Sequence, residues 1–479
     1  MEEKLEFSTL QTKAIEAAEK GRNIFLTGGA GVGKSAVVKE IIRRMEAKGK
    51  RVVVLAPTGK AAINVGGETI HRFFRLQTSP QVADLYEGAK NLDYAIRAKL
   101  QNVDLVIIDE ISMVRRDVFD VISAMMLNAR FDLQLMVVGD FQQLPPVMVD
   151  RGEGSDKEIL EQHYKTIGEE WYDGAYAFHS KAWLDWDFEL ILLSKVFRQS
   201  DVKFIKALNL IAQGDPQGKA CRWIQSHSAQ NEIKDCTWIC STNRDADNLN
   251  AENMDKLPGE KYIFEAEISG DEGCFKKESD CPVPKTLELK IGALVMTRIN
   301  DPMGRFVNGS VGKVVSINDS HTKISVKFDD GVVEIPKSTW NDNEYKIVDK
   351  KLETRSKGSF VQFPVILAYA ITVHKSQGAT FEKANVRPMC FENGQLYTML
   401  SRVKGVEGIY IHGTLAKKYC KSNKDVVDLY SAMREANRVD DKIKFAVKIP
   451  KEKEAPIKAL IRRYLTDEVF ARNIEALMG

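Results

Sequence analysis

The chain has 479 residues, 44% of them hydrophobic, and this length predicts about three domains rather than one. Its 69 basic and 67 acidic residues give a formal charge of only +2. Bulk charge therefore does not indicate a nucleic-acid partner, and any basic surface must be local. The seven cysteines, an odd number without dense spacing, argue against a disulfide framework and for a reducing compartment.

Two further features limit the class of protein. The N-terminal sequence MEEKLEFSTLQ is acidic and has no apolar core, unlike a secretory signal peptide. No apolar run is long enough to span a bilayer, so we expect a soluble, intracellular protein without a membrane partner.

Four cysteines, Cys236, Cys240, Cys274 and Cys281, offer an alternative zinc site. Neither the spacing of Cys236 and Cys240 nor that of Cys274 and Cys281 matches the usual zinc-binding pair, in which two residues separate the cysteines, so ordinary thiols are favoured.

Short apolar strands alternate with helix-period segments, a pattern typical of α/β folds with parallel sheets. The predicted strands are residues 23–26, 51–55, 105–108, 134–138, 237–240 and 293–297. Three segments interrupt this pattern, at 73–100, at 149–177 and at 301–363. The third is rich in glycine and short alternating runs, which predicts an inserted antiparallel barrel. A linker and a helical pattern over 457–478 end the chain.

The strongest local signal is GGAGVGKS, which follows the first predicted strand and precedes a helix-period run. A phosphate-binding loop requires this strand–loop–helix context, and the alternative is a glycine-rich turn before a core helix. Glycines let the backbone N–H groups turn inward around an anion. We expect Lys34 to contact the β- and γ-phosphates of ATP and the Ser35 hydroxyl to bind Mg²⁺. The predicted nucleotide-binding loop comprises Gly28, Gly29, Ala30, Gly31, Val32, Gly33, Lys34 and Ser35.

Polar residues follow two further strands. Asp109 and Glu110 follow residues 105–108, at the end of a strand where open α/β sheets bind ligands. We expect Asp109 to hold Mg²⁺ and Glu110 to orient and deprotonate the attacking water. Gln143, in GDFQQLPP, has an amide that both donates and accepts, which suits a sensor of the γ-phosphate. The alternatives are solvated carboxylates at a strand end and a polar turn stiffened by two prolines.

Phosphoryl transfer also requires positive charge on the γ-phosphate, and an arginine finger raises the rate about 10³–10⁵-fold. Two candidates lie in the second half of the chain, Arg198 in KVFRQSD and Arg402 in YTMLSRVKG. Either could instead be a surface arginine in a salt bridge, which is the commoner fate of this residue. Their assignment therefore rests mainly on a family resemblance.

Seven motifs occur in order: LTGGAGVGKS, APTGKAAINVGGETIH, VIIDEISM, GDFQQLPPV, LSKVFRQSD, ITVHKSQGATF and YTMLSRV. On these motifs, from about Gln11 to about Gly413, the chain resembles superfamily 1 DNA helicases of the Pif (petite integration frequency) branch, close to the RecD-like helicases. The resemblance implies two RecA-like lobes with parallel sheets that bind ATP and Mg²⁺ between them. It also implies translocation 5′ to 3′ along single-stranded DNA and unwinding of duplex or structured DNA.

The resemblance also implies residue roles. Gln11 would contact adenine, and Arg198 and Arg402 would point from the second lobe into the ATP site, where Lys34, Asp109, Glu110 and Gln143 act. The implied DNA contacts are Pro57, Thr58, Gly59, Lys60, Thr69, His71, Phe73, Thr372, His374, Lys375 and Ser376. Such side chains donate to phosphates, and a phenylalanine can stack on a base. The alternatives are threonines that cap turns or helices, histidines satisfied near the core, and a phenylalanine within the core.

The implied domains are a first lobe over 1–190 with a wedge insertion at about 73–100, a second lobe over 191–300 and 364–440, an SH3-like β-barrel over 301–363, and a helical extension over 441–479. Arg298, Arg305 and Lys313 are either phosphate contacts or part of a solvated face. We expect a ligand-free monomer whose partners are single-stranded and duplex or forked DNA. Three alternatives remain, namely an ATPase that acts on RNA or remodels protein–DNA complexes, a non-catalytic clamp, and a small-molecule kinase.

Overall fold

The structure is a computed structural model that describes residues 6–76, 92–148, 155–166, 176–199, 201–271, 274–348 and 351–446, without the side chains of Lys60, Asn64, Ser279 and residues 437–446. The chain divides into two compact units, Met1–Lys421 and Ser422–Gly479. The first unit combines parallel and antiparallel sheets. None of the helices in the described residues has an apolar stretch long enough to pass through a lipid bilayer.

A parallel sheet of six strands forms the first lobe. Its strands are β1 (Ile24–Gly28), β2 (Val52–Ala56), β3 (Glu68–Thr69), β4 (Leu105–Ile108), β5 (Gln134–Gly139) and β6 (Glu189–Leu193). Its helices are α1 (Thr9–Glu19), α2 (Lys34–Ala47), α3 (Gly59–Val65), α4 (Ile70–Phe73), α5 (Tyr94–Gln101), α6 (Arg116–Ala129), α7 (Asp156–Thr166) and α8 (Lys181–Asp185). The four strands predicted in this part of the chain are confirmed as β1, β2, β4 and β5, and predicted and observed bounds differ by two residues at most.

The order of the strands in this sheet is β3-β2-β4-β5-β1-β6. Strand β5 therefore lies between β4 and β1 and pairs in parallel with both. All residues of β1, β4 and β5 are buried, as expected for parallel strands that are covered on both faces. Because the carboxyl ends of these three neighbours lie at one edge, the residues that follow them, including Lys34, Glu110 and Gln143, are brought to the same place.

After β7 (Trp238–Cys240) the chain enters an antiparallel region. Its strands are β8 (Tyr262–Glu265), β9 (Glu267–Gly270), β10 (Thr286–Leu289), β11 (Leu294–Thr297), β12 (Val311–Ile317), β13 (Lys323–Phe328), β14 (Gly331–Pro336), β15 (Ser338–Val348), β16 (Lys351–Gln362) and β17 (Val365–Leu367). Five of them form a sheet in the order β14-β13-β12-β11-β17. A buried core that includes Val295, Val326 and Phe363 supports it.

One predicted strand was assigned to the wrong kind of sheet. Residues 293–297 were expected among the parallel strands, but β11 pairs antiparallel with β12 and β17. Its four residues are all buried, and a short apolar run of this kind does not reveal the direction of its partners. The antiparallel region consequently extends beyond residues 301–363 at both ends.

The second parallel sheet has four strands in the order β18-β7-β19-β20. Its later strands are β18 (Ala370–Thr372), β19 (Ala384–Val386) and β20 (Ile409–Ile411). The helices of this part are α9 (Val202–Ala212), α10 (Lys219–His227), α11 (Asn243–Lys256) and α12 (Gln395–Leu400). The predicted strand 237–240 is confirmed as β7, at the centre of the sheet.

Strand β15 pairs with β16 and packs against the first lobe. Arg72 of α4 binds both carboxylate oxygens of Asp342, with Nη2 to Oδ2 at 2.8 Å. The Tyr345 backbone N–H donates to the buried Glu68 carboxylate at 3.0 Å, and its hydroxyl accepts from the Val54 N–H at 3.2 Å. The antiparallel region therefore contacts the first lobe, although in sequence it lies between two strands of the second parallel sheet, β7 and β18.

Several predicted segments lie wholly or partly outside the described residues. The predicted wedge at 73–100 is described only at its ends, by Phe73 to Leu76 and by residues 92–100, which include most of α5. The segment 149–177 contains α7 between two undescribed stretches. In the second unit, helix α13 (Lys424–Ala446) is described, whereas the predicted helix at 457–478 is not. All seven cysteines are free.

Candidate nucleotide site and nucleic-acid cleft

The phosphate loop connects β1 to α2. Gly31 and Gly33 have φ angles of 76° and 84°, left-handed values that glycine adopts without strain. The Lys34 ammonium folds back and donates to the carbonyl oxygens of Gly28 at 2.6 Å and Gly29 at 3.1 Å. Burial lowers the pKa of Lys34, against the opposing charges of Asp140 and Glu110. The loop thus holds a cation at the place where a phosphate group would need one.

The acidic pair lies at the end of β4. The Glu110 N–H donates to Asp109 Oδ1 at 2.9 Å, and Glu110 has a φ of 52°, which residues other than glycine rarely adopt. Burial, followed by the charge of Asp109, raises the pKa of Glu110 to about 7. Burial also raises the pKa of Asp109. A carboxylate that titrates near neutral pH suits a general base.

We expect this shift to appear in the pH dependence of ATP hydrolysis. Glu110 can accept a proton only when it is ionised, and its pKa is raised to about 7. The value of kcat/KM for ATP should therefore fall as the pH drops through about 7 and level off above it. Initial rates measured between acidic and mildly alkaline pH test this, because kcat/KM reports the free enzyme. Glu110→Gln should lose both this pH dependence and about 10²–10⁴-fold in rate. A profile unchanged by the substitution would exclude Glu110 as the base.

Gln143 connects the two lobes. Its Nε2 donates to Asp140 Oδ2 at 3.0 Å, and its Oε1 accepts from Arg402 Nη2 at 3.2 Å. The amide therefore donates and accepts at once. Arg402 is 3% exposed, and its Nε donates to the Thr398 carbonyl oxygen at 3.1 Å. Burial lowers the pKa of Arg402. Arg402 is therefore not a surface arginine, and from its position just after α12 it reaches into the first lobe.

Arg198 lies directly on the phosphate loop. A Cβ added at Gly31 would come within 2.3 Å of the Arg198 Cβ, so only glycine permits this approach. The Arg198 Nη1 donates to the Ser401 carbonyl oxygen at 3.2 Å. Burial, followed by the charge of Arg402, lowers the pKa of Arg198 to about 9. Two neighbouring guanidinium groups with lowered pKa values fit an anionic ligand that would stabilise their charges.

Two further side chains, Gln11 and Phe197, lie beside the phosphate loop. Gln11 Nε2 donates to the Val32 carbonyl oxygen at 3.2 Å, and its Oε1 accepts from the Ser8 N–H at 2.8 Å. Both ends of this amide are therefore engaged, and the adenine contact of Gln11 stays a prediction. Phe197 is 52% exposed, and its ring lies 3.7 Å from a Cβ added at Gly33. Phe197 was not among the predicted site residues. Its position directly before Arg198 in KVFRQSD is the sequence signal that could have identified it.

A cleft of about 1550 Å³ runs beside this site. Its walls come from both lobes and from the antiparallel region, and they include Ser35, Thr58, Asp109, Glu110, Arg298, Thr372, His374 and Lys375. Lys375 is exposed, whereas Pro57, Gly59, His71 and His374 are half-buried. Burial lowers the pKa of both His71 and His374. The side chain of Lys60 lies outside the described residues.

The threonines predicted to contact DNA have local partners. The hydroxyls of Thr58 and Thr69 accept from the backbone N–H groups of Ala61 at 3.2 Å and Arg72 at 3.3 Å, which caps α3 and α4. The Thr372 hydroxyl accepts from the Lys375 N–H at 3.3 Å. The alternative that Thr58 and Thr372 cap local turns or helices therefore has support from these contacts, and Thr69 makes a contact of the same kind. A hydroxyl that accepts from the backbone can still donate to a phosphate.

Two predicted DNA contacts are wrong in this conformation. Phe73 is fully buried, with its ring packed edge-on against Phe74 and Tyr345, so it belongs to the core and offers no face to a base. Ser376 is also fully buried, and its hydroxyl donates to the Val373 carbonyl oxygen at 2.7 Å. For Phe73 the deciding partner is distant in sequence, since Tyr345 packs against its ring, whereas the hydroxyl of Ser376 is satisfied locally.

Of the three basic residues proposed in the antiparallel region, Arg298 differs from the others. Arg305 binds the Asp301 carboxylate at 2.8 Å and Lys313 binds Asp235 at 2.8 Å, both as partly exposed pairs. Arg298 is 5% exposed, and its Nη1 donates to the Lys375 carbonyl oxygen at 3.3 Å, while its Nε has no partner. Burial lowers the pKa of Arg298 to about 10. A buried cation thus faces the cleft.

Three side chains of types that can bind metals, Asp215, Cys221 and Cys420, have their potential ligand atoms within 4.8 Å of one another in the part of the chain that the structure describes. This group includes none of Cys236, Cys240, Cys274 and Cys281, the four residues of the alternative zinc site. Cys221 and Cys420 belong to the hydrophobic core around the second parallel sheet. The group is not part of the nucleotide site.

Comparison with known proteins supports the assignment of these motifs. The PIF1-like helicase family profile matches residues 6–215. The "ATP-dependent DNA helicase Pif1" of Campylobacter jejuni is 32% identical over 416 residues, which cover 82% of this chain and 89% of that protein. The structure of Bacteroides sp Pif1 in complex with ADP-AlF4 is 29% identical, with a TM-score of 0.78 over 90% of this chain and 98% of that one. For Bacteroides Pif1 bound to ssDNA, at 30% identity and the same coverage of both chains, the TM-score is 0.61. On these matches and the site geometry, the chain belongs to the PIF1-like helicase family.

Proposed function

We propose that this protein is an ATP-dependent DNA helicase that binds single-stranded DNA in the cleft, moves along it 5′ to 3′, and separates duplex or forked DNA. The observation that carries this proposal is the hydrogen bond between Arg402 and Gln143, because it joins the two lobes at the nucleotide site. Bacteroides Pif1 structures contain ADP-AlF4 or single-stranded DNA, and a further solved structure concerns unwinding at forked double-stranded DNA by two coordinating Pif1 helicases, which supports the same ligands here.

Hydrolysis would use groups from both lobes. Lys34 from the first lobe, with Arg198 and Arg402 from the second, would neutralise the charge that develops on the phosphates. Glu110 would take a proton from the attacking water. Ser35 and Asp109 line the same cleft and provide the oxygen ligands that Mg²⁺ prefers, so they would hold the ion that offsets phosphate charge.

The adenine end of the nucleotide would lie near Gln11 and Phe197. Phe197 is an exposed ring next to the loop residue Gly33, and an exposed aromatic face can stack on a base. We therefore assign the stacking role to Phe197 and keep Gln11 as the expected polar contact.

ATP binding would favour closed lobes, because its γ-phosphate interacts with cations of both. Hydrolysis removes this shared anion, and the lobes can then separate. If each lobe holds the DNA strand in turn, one cycle advances the protein along it. The lower TM-score for the ssDNA-bound relative than for the ADP-AlF4 complex supports a change in the arrangement of domains when DNA binds.

Arg298 supports the placement of DNA in the cleft. A buried cation is costly unless an anion compensates it, and Arg298 has no carboxylate partner among the described residues. A phosphodiester in the cleft would provide that anion and accept a hydrogen bond from the guanidinium. The Nη1 contact with the Lys375 carbonyl oxygen also places Arg298 beside the predicted contacts Thr372, His374 and Lys375.

We expect Arg298→Ala to weaken the binding of single-stranded DNA about tenfold or more, since hydrogen bonds to charged groups contribute about 1.5–3 kcal/mol. The slope of log affinity against log salt should also decrease in magnitude by about 0.7, which corresponds to one lost phosphate contact. Fluorescence anisotropy at several salt concentrations measures both. Arg355→Ala is the matched control, because Arg355 is exposed on β16 and 4.0 Å from Glu353. Equal effects of both substitutions would exclude Arg298 from the DNA site.

We also propose domain assignments for the parts that flank the lobes. The five-stranded antiparallel sheet would be the SH3-like subdomain, and the segment between α4 and α5 would be the wedge. The first lobe would cover residues 1–190, and the second would cover 191–261 and 368–440, with the antiparallel strands between them. The extension over 441–479 has no assigned role, and the ligand-free protein would be a monomer.

The proposed function is tested by two assays on the purified full chain. The rate of ATP hydrolysis is compared without polymer, with single-stranded DNA and with single-stranded RNA, and strand displacement is compared on duplexes with a 5′ tail or a 3′ tail. We expect strong stimulation by DNA and displacement only from the 5′ tail. Stronger stimulation by RNA would favour an RNA helicase. DNA-stimulated hydrolysis without displacement from either tail would favour an ATPase that remodels protein–DNA complexes.

A further inference from the structure

A buried glutamine, Gln199, lies directly after Arg198 in the motif KVFRQSD. Its side chain is 3% exposed. Its Nε2 donates to two backbone carbonyl oxygens, those of Ser401 and Val403, each at 3.0 Å. These carbonyls belong to the residues immediately before and after Arg402. One buried amide therefore holds the main chain on both sides of the expected arginine finger.

The main chain has already left the helix at this point. Helix α12 ends at Leu400 and Ser401 is its C-cap, so the carbonyl oxygens here lack intrahelical donors. Ser401 and Val403 are both buried, and a buried carbonyl oxygen needs a donor. The NH₂ group of Gln199 carries two hydrogens and can serve both. One planar amide bonded to both neighbours fixes the direction in which the Arg402 side chain leaves the main chain.

The segment that carries Gln199 is itself attached to the phosphate loop. The Phe197 N–H donates to the Gly31 carbonyl oxygen at 2.8 Å, and a Cβ at Gly31 would collide with that of Arg198. Gln199 is the next residue along the chain. A short series of contacts therefore sets the main chain at Arg402 relative to the loop that would bind the phosphates.

The contacts of the Arg402 side chain depend on this placement. Its Nε donates to the Thr398 carbonyl oxygen at 3.1 Å and its Nη2 to Gln143 Oε1 at 3.2 Å. Both distances are near the upper end for hydrogen bonds, so a shift of the main chain by about 1 Å would break them. A misplacement of about 1 Å in a catalytic site can lower a rate about 10²-fold. A residue that fixes the main chain at Arg402 can therefore control the rate without contact with ATP.

We propose that Gln199 is a positioning residue for Arg402, whose amide holds residues 401–403 so that the guanidinium lies at the γ-phosphate. The alternative is a residue that only stabilises the fold by satisfying two buried carbonyls. The inference rests on the proposed function, because it requires that Arg402 acts on ATP. It deepens that function by naming the side chain that links the phosphate loop to the finger.

Replacing Gln199 with methionine keeps the length of the side chain and removes both donors. With saturating single-stranded DNA, we expect kcat for ATP hydrolysis to fall about 10–10²-fold. The KM for ATP should stay within about threefold, because the finger acts mainly in the transition state. Should the methionine variant be unstable, Gln199→Ala is measured instead. The same loss is expected, since a water that fills the space is not attached to the phosphate loop.

A double-mutant cycle separates positioning from a general effect on stability. In the Arg402→Ala background, Gln199→Met should change kcat by less than about twofold, because no guanidinium is left to place. Residual rates are measured with radiolabelled ATP. A role in folding alone would lower kcat by the same factor in both backgrounds. Such equal losses would overturn the proposal, and so would a wild-type kcat in a folded Gln199→Met variant.

Gln362→Met is the matched control for the loss of a buried amide. Gln362 is fully buried, and its Nε2 also donates to two carbonyl oxygens, those of Phe264 at 2.8 Å and Lys285 at 3.2 Å. It lies at the end of β16, in the antiparallel region. The control should lower the melting temperature to a similar degree but keep kcat within about twofold, because its site is independent of Arg402. A loss of kcat equal to that of Gln199→Met would refute a specific role of Gln199.

A measurement without turnover gives a second test. ADP-AlF4, which Bacteroides sp Pif1 binds in its solved structure, imitates the phosphate during transfer. Gln199→Met should bind ADP as the wild type does and ADP-AlF4 about tenfold or more weakly, because only the second ligand presents the charge on which a finger acts. Equal affinities of variant and wild type for ADP-AlF4, measured by calorimetry, would contradict the positioning role. Neither test uses strand displacement, so a wild type that hydrolyses ATP without separating strands would contradict the proposed function and leave both tests of Gln199 intact.

Discussion

Replacing Arg402 with alanine is expected to lower the DNA-stimulated rate of ATP hydrolysis about 10³–10⁵-fold, the range over which arginine fingers act. The side chain reaches Gln143 of the other lobe and lies close enough to Lys34 and Glu110 for its charge to affect the pKa of both. Its loss removes positive charge at the phosphates and the contact that joins the lobes. Binding of ATP by the first lobe should decrease much less.

The measurement is kcat with saturating single-stranded DNA. Arg402→Lys keeps the charge but loses the planar fork of donors, so it should recover only part of the rate. Arg222→Ala is the control, because Arg222 is an exposed arginine of α10 whose Nη2 donates to the Gln217 carbonyl oxygen at 3.1 Å. Melting temperatures separate a catalytic loss from a folding defect. A loss of less than tenfold in a folded Arg402→Ala variant would mean that another residue acts as the finger.

We expect Lys34→Ala to lower hydrolysis by at least about 10²–10³-fold, the effect of removing one preorganised electrostatic contact from a catalytic site, and to abolish unwinding. Binding of single-stranded DNA should largely survive. The physical reason is the separation of roles: Lys34 donates only within the phosphate loop, whereas Arg298, His374 and Lys375 line the cleft.

Hydrolysis, strand displacement and DNA anisotropy are measured on the same preparation. Lys20→Ala, at an exposed lysine paired with Glu16 at 3.6 Å, controls for the general loss of a positive charge. The separation of roles would be refuted by a Lys34→Ala variant that hydrolyses ATP at the normal rate. It would also be refuted by a loss of DNA affinity greater than about tenfold at constant salt.

The first lobe could be predicted well from sequence because its signals are local. Apolar runs define β1, β4 and β5, and each is followed directly by the residues that carry the chemistry. Parallel strands place their carboxyl ends together, so assigning the strands was enough to bring Lys34, Glu110 and Gln143 to one edge. The roles of Arg198 and Arg402 depended on the family resemblance, since an isolated arginine carries no local signal.

The remaining errors and omissions come from contacts between distant parts of the chain. Phe73 is buried because Tyr345 packs against it, and no sequence pattern near Phe73 predicts this contact. Strand β11 has the composition of a parallel strand, but its neighbours decide its direction. Tyr397 stood in a recognised motif, yet its contact with Ala30 exists only because the two lobes meet.

The attachment of β15 to the first lobe has a consequence for synthesis on the ribosome. Glu68 and Phe73 are covered by Tyr345, which emerges from the exit tunnel long after them. Until then, the Glu68 carboxylate lacks its backbone hydrogen-bond donor and one side of the Phe73 ring is uncovered. Contacts of such large sequence separation slow folding and leave apolar surface open to aggregation. The N-terminal half cannot reach its final packing alone and must wait for a segment translated in the last third of the chain.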